Sequence, residues 1–490
     1  MTALRYLCLS DLHLGAGNSV LTSSSGGRPD PTKPSRTLQA LAAGLARLVP
    51  MLAPDKPPTL VLMGDVLDLG LSPMGDVIEA FRRFVEQVML PGGKPLFAPD
   101  VLVVPGNHDH HLWRMAQDHA LQRALLSGRV PRDLVPCSPL LGDGDETTDG
   151  HIPSPMIEAV LGLYPALGPA KAHTVYPNLG LVTPNRERCV VLHHGHYVDG
   201  TYRLMSTFNA LFTPDRTAPL TVDELEQQNG PWVDFLWSDL GSAGATGQVI
   251  NTLYEVLRDA GASQQYLGYL GDLLLRQLSQ RFGISGRMKL SDSVPFTVEQ
   301  LLRAALDATV GKGAATQRDS YLDLIGPGEV DDLRWYLEGP VMLQLQQAGL
   351  ELGAIDLGFV YGHTHKPLQD ELPLSAGRPV DVFNTGGWVM DQPTMTSTQG
   401  AAAVLIDDEL NIASLRLFTD PLNGEMTPVH AAGTGGVRDL RNPMLQQLRD
   451  ALKDCAPEWA EFTQRVQVST EHRADNLLRQ FFDTPVRETE

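Results

Sequence analysis

The chain is poor in cysteine: Cys8, Cys137, Cys189 and Cys455 are the only four in 490 residues, and no two form a closely spaced pair. This argues against a disulfide framework and a thiolate zinc site. Cys8 and Cys189 lie inside apolar runs and read as small buried residues. Basic residues are also scarce, 38 against 58 acidic ones, for a formal charge of −20. General affinity for nucleic-acid phosphates rests largely on Lys and Arg displacing counterions, so it is not expected, although a local basic groove stays open. No apolar run reaches membrane-span length. The opening Met-Thr-Ala-Leu-Arg-Tyr enters a strand pattern at once, without the basic and apolar regions of a signal peptide. A reducing, cytoplasmic home is the expectation.

What the chain does contain is globular: 42% apolar and 20% charged residues. Its length calls for two domains or one domain with large insertions. Part of the acidic excess can be carboxylates that a bound cation neutralises.

A repeated arrangement runs through it. The apolar run Leu4 to Ser10 reads as a buried strand and ends in Asp11-Leu12-His13. Residues 15–34, rich in Gly, Ser and Pro, read as a loop, after which Ser35 is the N-cap of an amphipathic helix to about Val49. Thr59 to Met63 is a second strand, ending in Gly64-Asp65-Val66-Leu67-Asp68, and a helix follows from about Met74 to Met89. Val101 to Pro105 delivers Gly106-Asn107-His108-Asp109, and Cys189 to Leu192 delivers His193-His194-Gly195-His196. Ile355 to Tyr361 delivers Gly362-His363-Thr364-His365, where two histidines at i and i+2 can face one pocket. Strands separated by helices form an α/β layer, and ligands of such sheets collect at the strand carboxyl ends.

Between these motifs the pattern weakens. Residues 110–187 read as an irregular insertion, and the acidic loop 142–149 lacks EF-hand spacing and reads as solvated. Residues 199–353 read as an almost wholly helical insertion, in which Tyr266, Tyr269, Leu270, Leu273, Leu274, Leu278 and Phe282 recur at helical spacing, the core of a packed cap. Val310-Gly311-Lys312-Gly313 fails as a P-loop, and residues 241–247 read as a flexible connector. Ala401 to Ile406 and Ile412 to Phe418 read as an antiparallel pair, and the tail from Pro443 to near Phe482 as helix broken around Pro457.

Every candidate ligand is a carboxylate, an amide oxygen or an imidazole, a set suited to Mn, Fe, Zn, Co or Ni. One carboxylate such as Asp65 can bridge two cations, an arrangement known for displacement at phosphorus. The five motifs together resemble the calcineurin-like metallophosphoesterase superfamily over most of residues 1–200 and 354–420. The resemblance implies a four-layer α/β/β/α sandwich of two mixed sheets with a large helical cap. Its core would be 1–198 and 354–440, the cap 199–353, and 441–490 a C-terminal helical extension. It implies two divalent metals, Mn favoured, one held by Asp11, His13, Asp65 and His365 and the other by Asp65, Asn107, His194 and His363. His193 is the alternative to His194. His108, with Asp109 beside it, would be the catalytic acid and phosphate contact, in hydrolysis by a metal-bridging hydroxide.

Asp68 and Asp109 are read as orienting nearby imidazoles and loops. Asp68, His193, His196, Arg114 and Arg203 are candidates for substrate contact or support. The substrate is a phosphorylated small molecule or a phosphodiester. Ser-Asp-Leu-His-Leu, Gly-Asp-Val-Leu-Asp and Gly-His-Thr-His-Lys-Pro are also similar to the UDP-2,3-diacylglucosamine pyrophosphatase branch. The chain departs from that branch at His108, where the branch has Arg, at His196, where it has Asp, and in its far longer insertion. A nuclease is a further alternative, and the full ligand set disfavours a non-catalytic scaffold.

Overall fold

The computed structural model describes residues 2–25, 28–132, 134–141, 152–203, 205–207, 209, 220–234, 272, 285–287, 297, 299–300, 303, 327–350, 355–375, 377–390, 398–419 and 426–483. The acidic loop 142–149, the run 265–282 apart from residue 272, and the fragments 241–247 and 310–313 lie outside them. The chain divides into two units, one of residues 1–195 and 345–490 and the other of residues 196–344.

In the first unit the apolar runs form strands as their β-branched and leucine-rich composition demands. They are β1 (Leu4–Leu9), β2 (Thr22–Ser25), β3 (Arg28–Pro34), β4 (Thr59–Leu62), β5 (Asp100–Val103), β6 (Ile152–Pro153), β7 (Lys171–Thr174), β8 (Asn178–Val182), β9 (Arg188–His193), β10 (Asp356–Tyr361), β11 (Leu368–Leu372), β12 (Val380–Asn384), β13 (Gly400–Asp407), β14 (Ile412–Thr419) and β15 (His430–Ala432). Eight of them make one mixed sheet in the order β15-β14-β13-β1-β4-β5-β7-β6, and five make a second, β11-β12-β10-β9-β8. Within the first, β1, β4, β5 and β7 run parallel. Within the second, β9, β10 and β12 do so. The fold is therefore an α/β sandwich of two mixed sheets.

Its core has two parts. Cys8, Val61, Met63 and Val404 of the first sheet meet Val190, Leu192, Val360 and Phe383 of the second in one buried cluster. The other face of the first sheet, with Leu7, Leu60, Leu405 and Leu415, packs on helices α1 (Arg36–Leu52) and α2 (Met74–Phe84) and on the C-terminal helices Pro443–Asp454 and Ala456–Asp483. Ser35 caps α1, its hydroxyl accepting from the Leu38 amide at 3.0 Å. The chain between the two C-terminal helices breaks at Cys455, placing Pro457 in the first turn of the second, where a missing N–H costs nothing.

Two expectations change. Residues 15–34 are not all loop, because β2 and β3 pair as a two-stranded ribbon. Pro29, Pro31 and Pro34 hide this in the sequence, yet an edge strand tolerates proline where no ladder donor is needed. The stretch 110–187, read as irregular with helical pieces, does contain helices α3 (His111–Leu126) and α4 (Pro155–Leu161), but its short strands β6, β7 and β8 also extend both sheets. Strands of two to five residues are too short to show periodicity.

The second unit runs over residues 196–344. The turn His196–Val198 packs against the helix Pro327–Tyr336 of that unit, and residues 345–350 belong with the first. Its described part is mainly helical, with buried Tyr197, Tyr202, Leu225, Trp232, Leu333, Tyr336 and Leu337. No helix among the described residues is long and apolar enough to cross a membrane.

Candidate metal centre

Strand register brings the motifs together. Leu9 pairs with Leu62 and Leu62 with Val103 in parallel, so the chain leaves β1, β4 and β5 at the same sheet end. Beyond the strands the contact continues: the Asp11 amide donates to the Gly64 carbonyl and the His13 amide to the Asp65 carbonyl, both at 2.9 Å. In the second sheet Leu192 pairs with Val360, Tyr361 pairs with Asn384, and the Gly362 amide donates to the His194 carbonyl at 2.6 Å. Gly64, at φ +81°, has His194 and Gly106 so close that a Cβ there would collide with both.

The backbone turns sharply at the same places. Asp11, His13, Asp65, His363 and His365 adopt φ of 51°, 43°, 49°, 70° and 57°, and among the described non-glycine residues only Arg186 and Leu410 share the left-handed region. Such conformations cost of order 1–3 kcal/mol each and persist where surroundings enforce them, typically at functional sites.

The side chains form three groups, two of them sharing His13, whose ligand atoms lie within 4.8 Å of one another: Asp11, His13 and His365; Asp65, His194 and His363; and His13, Asp68 and His108. Asp65 Oδ2 stands 3.8 Å from His13 Nε2 and 3.3 Å from His194 Nε2, between the groups. Asn107 Oδ1 is 3.0 Å from His194 Nε2. Asp11, Asp65, Asn107 and His194 are buried, whereas His108, His363 and His365 are part-exposed and mark the open side. His13 Nε2 is buried without a hydrogen-bond partner, since the 3.8 Å to Asp65 is too long for one. A buried imidazole nitrogen facing carboxylates in this way is what a cation satisfies, so the donor set fits divalent metals.

Supporting groups surround the donors. Asp68 Oδ1 lies 3.0 Å from His108 Nδ1 and 3.4 Å from His13 Nδ1, so one carboxylate orients both imidazoles. The His108 amide donates to Asp65 Oδ1 at 2.8 Å. Asp109 faces backbone: its Oδ1 accepts from the amides of Gly106 at 2.7 Å and Asp65 at 3.1 Å, its Oδ2 from Val66 at 3.0 Å and Leu67 at 3.3 Å. These contacts clamp the loops that follow β4 and β5.

His193 and His194 separate as neighbours at a strand end must. His194 turns into the donor cluster, with Nδ1 3.1 Å from the Met63 carbonyl. His193 Nδ1 meets the Pro177 carbonyl at 3.0 Å, and burial lowers its pKa to about 3, leaving it neutral in the core. Arg114 lies exposed on α3, with Gln117 at 3.5 Å. His196 and Arg203 belong to the second unit. There the His196 ring lies 4.3 Å from Tyr197, and Arg203 bonds Asp332 and stacks on Trp335 at 4.2 Å.

Electrostatics bind the cluster together. Burial opposes charge on Asp65, yet the His194 and His108 charges outweigh it and hold the carboxyl well below its usual range. Burial likewise opposes the Asp11 carboxylate, but His194 and His365 lower its pKa. Burial also disfavours the His194 imidazolium, while Asp65 and Asp11 carry its pKa up to about 9. His13 moves upward against burial through its bond to Asp68 and the Asp65 charge. Without a cation, protons on the imidazoles balance the carboxylates.

Sequence reading missed Ser10, Asn384 and Thr385. Asn384 Nδ2 donates at 3.0 Å to both the Gly362 carbonyl and Thr364 Oγ1, holding the loop that carries His363 and His365. Their signal was present in the sequence: β12, like the other strands, ends in polar residues.

Carboxylates and imidazoles gathered at the carboxyl ends of a two-sheet α/β sandwich form a candidate centre for divalent metals. The chain matches the calcineurin-like phosphoesterase family over residues 4–284 and belongs to it. The matched span ends before Gly362-His363-Thr364-His365, which the long insertion separates from the other motifs. No curated protein matches the chain.

Proposed function

We propose that the protein hydrolyses a phosphate mono- or diester with a pair of divalent cations, Mn favoured. One is held by Asp11, His13, Asp65 and His365, the other by Asp65, Asn107, His194 and His363. The carrying observation is the place of Asp65, whose Oδ2 faces His13 of one donor group and His194 of the other. When bound, such a pair supplies water of lowered pKa near neutral pH and neutralises charge developing on the phosphoryl oxygens.

The chain's own residues do the rest. His108 is the general acid that protonates the departing oxygen, its imidazole oriented by Asp68 at 3.0 Å from Nδ1 and standing on the part-exposed side of the cluster. Asp68 and Asp109 act as positioning residues, the first on imidazoles and the second on the backbone beneath Asp65. A reducing, cytoplasmic setting accords with four buried free thiols.

The test is metal analysis of the purified chain together with a panel of aryl phosphate monoesters, diesters, nucleotide pyrophosphates and single-stranded DNA. Metal-dependent turnover of mono- or diesters is the expected result. Turnover confined to pyrophosphates or to DNA would replace the substrate reading, and absence of metal would refute the centre.

A further inference from the structure

Behind Asp11 lie two hydroxyls that are not metal donors in the proposed centre. Ser10 follows β1, and Thr385 follows β12 of the other sheet; both side chains are fully buried. The Ser10 hydroxyl donates to Asp11 Oδ2 and is also hydrogen-bonded to the Thr385 hydroxyl. The Tyr361 carbonyl accepts from the Thr385 amide at 2.9 Å and also accepts from the Thr385 hydroxyl at 3.1 Å, so the single hydroxyl proton has two acceptors to choose between, that carbonyl and Ser10. With the amide already serving that carbonyl, the Thr385 hydroxyl proton can turn to Ser10. Ser10 has one proton and gives it to the carboxylate, so the donors run Thr385 to Ser10 to Asp11.

The surroundings leave this chain no slack. A Cβ on Gly362 would collide with both Asp11 Oδ2 and Ser10 Oγ. The His363 amide approaches Asp11 Oδ1 at 3.0 Å and Oδ2 at 3.1 Å. His365 Nε2 stands 3.5 Å from Oδ1. With Ser10 held on Oδ2, Oδ1 is the oxygen presented to the His365 side.

We propose that Ser10 and Thr385 form a hydroxyl relay between the two sheets that fixes Asp11 and thereby sets the affinity of one cation, the one shared with His13 and His365. Both are positioning residues, and the proposal rests on Asp11 being a metal ligand. Groups behind metal ligands carry about 10–100-fold in affinity, and a chain of hydrogen bonds ending on a carboxylate strengthens along its length.

The experiment is calorimetric titration of Mn²⁺ into the full-length, chelator-stripped protein, for wild type, Ser10→Ala, Thr385→Val and Thr385→Ser, with thermal unfolding of each metal-free protein. Wild type should take up two equivalents. Ser10→Ala and Thr385→Val should weaken one equivalent about 10–100-fold and spare the other, while Thr385→Ser, which keeps the hydroxyl, should restore it. Buried hydroxyls serving only the fold would lower the metal-free unfolding temperature and leave both affinities intact, which overturns the relay. Thr385→Ser binding as poorly as Thr385→Val overturns it as well. If Thr385→Val does not fold, Ser10→Ala decides by the same criterion. A wild type that takes up no Mn²⁺ overturns the metal reading of Asp11 and the relay with it.

Discussion

Metal affinity should depend steeply on pH, and His194 sets the magnitude. Its imidazole lies among Asp65, Asp11 and Asp109, which overcome burial and hold the proton to a pKa of about 9 in the metal-free site. A cation bound by His194 must displace that proton. At pH 7 roughly 99% of the metal-free sites carry it, so apparent affinity should be about 100-fold below its limit and rise ~tenfold per pH unit to about pH 9. The sign for stability is opposite. The folded pKa is raised above the ordinary 6.5. The proton's contribution, on the order of 3 kcal/mol, is therefore fully present below that pH and lost as pH climbs through 9 in metal-free protein. Protein with saturating metal should not follow this fall. Mn²⁺ titrations at several pH values, in two buffers of different ionisation enthalpy, measure both affinity and proton release. Affinity that stays flat from pH 7 to 9, with no proton released, would refute the reasoning.

Other substitutions probe separate layers of the structure. His108→Asn should keep both metals and lose about 10²–10⁴ in kcat; unchanged turnover of an alkyl phosphate, a poor leaving group, would remove His108 from the chemistry. Asp109→Asn puts an amide donor against backbone N–H groups of Gly106, Asp65, Val66 and Leu67. It should cost about 1–3 kcal/mol in denaturant unfolding and also weaken metal binding, and wild-type values for both would contradict the clamp. Gly44→Ala adds a methyl 2.7 Å from the Trp459 ring, where α1 meets the last helix. Helix propensity would gain ~1 kcal/mol, but the overpacked contact should cost about 1–3 kcal/mol and lower the melting temperature. A stabilised variant would show that the ring gives way.

The clustering of the candidate metal donors was legible in the sequence because each motif follows an apolar run long enough to read as a strand, and parallel strands in register deliver their ends to one place. Asp11, Asp65, Asn107, His194 and His363 are all found that way. Backbone alternation sends His193 and His194 to different sides, the former to the Pro177 carbonyl and the latter to Asn107. Less legible were parts whose signal is local and weak. The ribbon of β2 and β3 is masked by prolines, and β6, β7 and β8 are too short to alternate. Which groups Asp109 meets is likewise visible only in three dimensions, where both its oxygens face backbone amides. Ser10 and Thr385 are 375 residues apart, and nothing in either segment alone announces their hydrogen bond. The two halves of the centre share this dependence, since the His363 amide reaches Asp11 across 352 residues. Such long-range closure has to form before the proposed pair of cations can be held.

The most direct measurement is the metal content of wild type and Asp65→Asn by elemental analysis after equilibration with Mn²⁺. Two equivalents in wild type and a loss of occupancy in the variant is the predicted result. Two full equivalents retained in Asp65→Asn would contradict a centre bridged by Asp65.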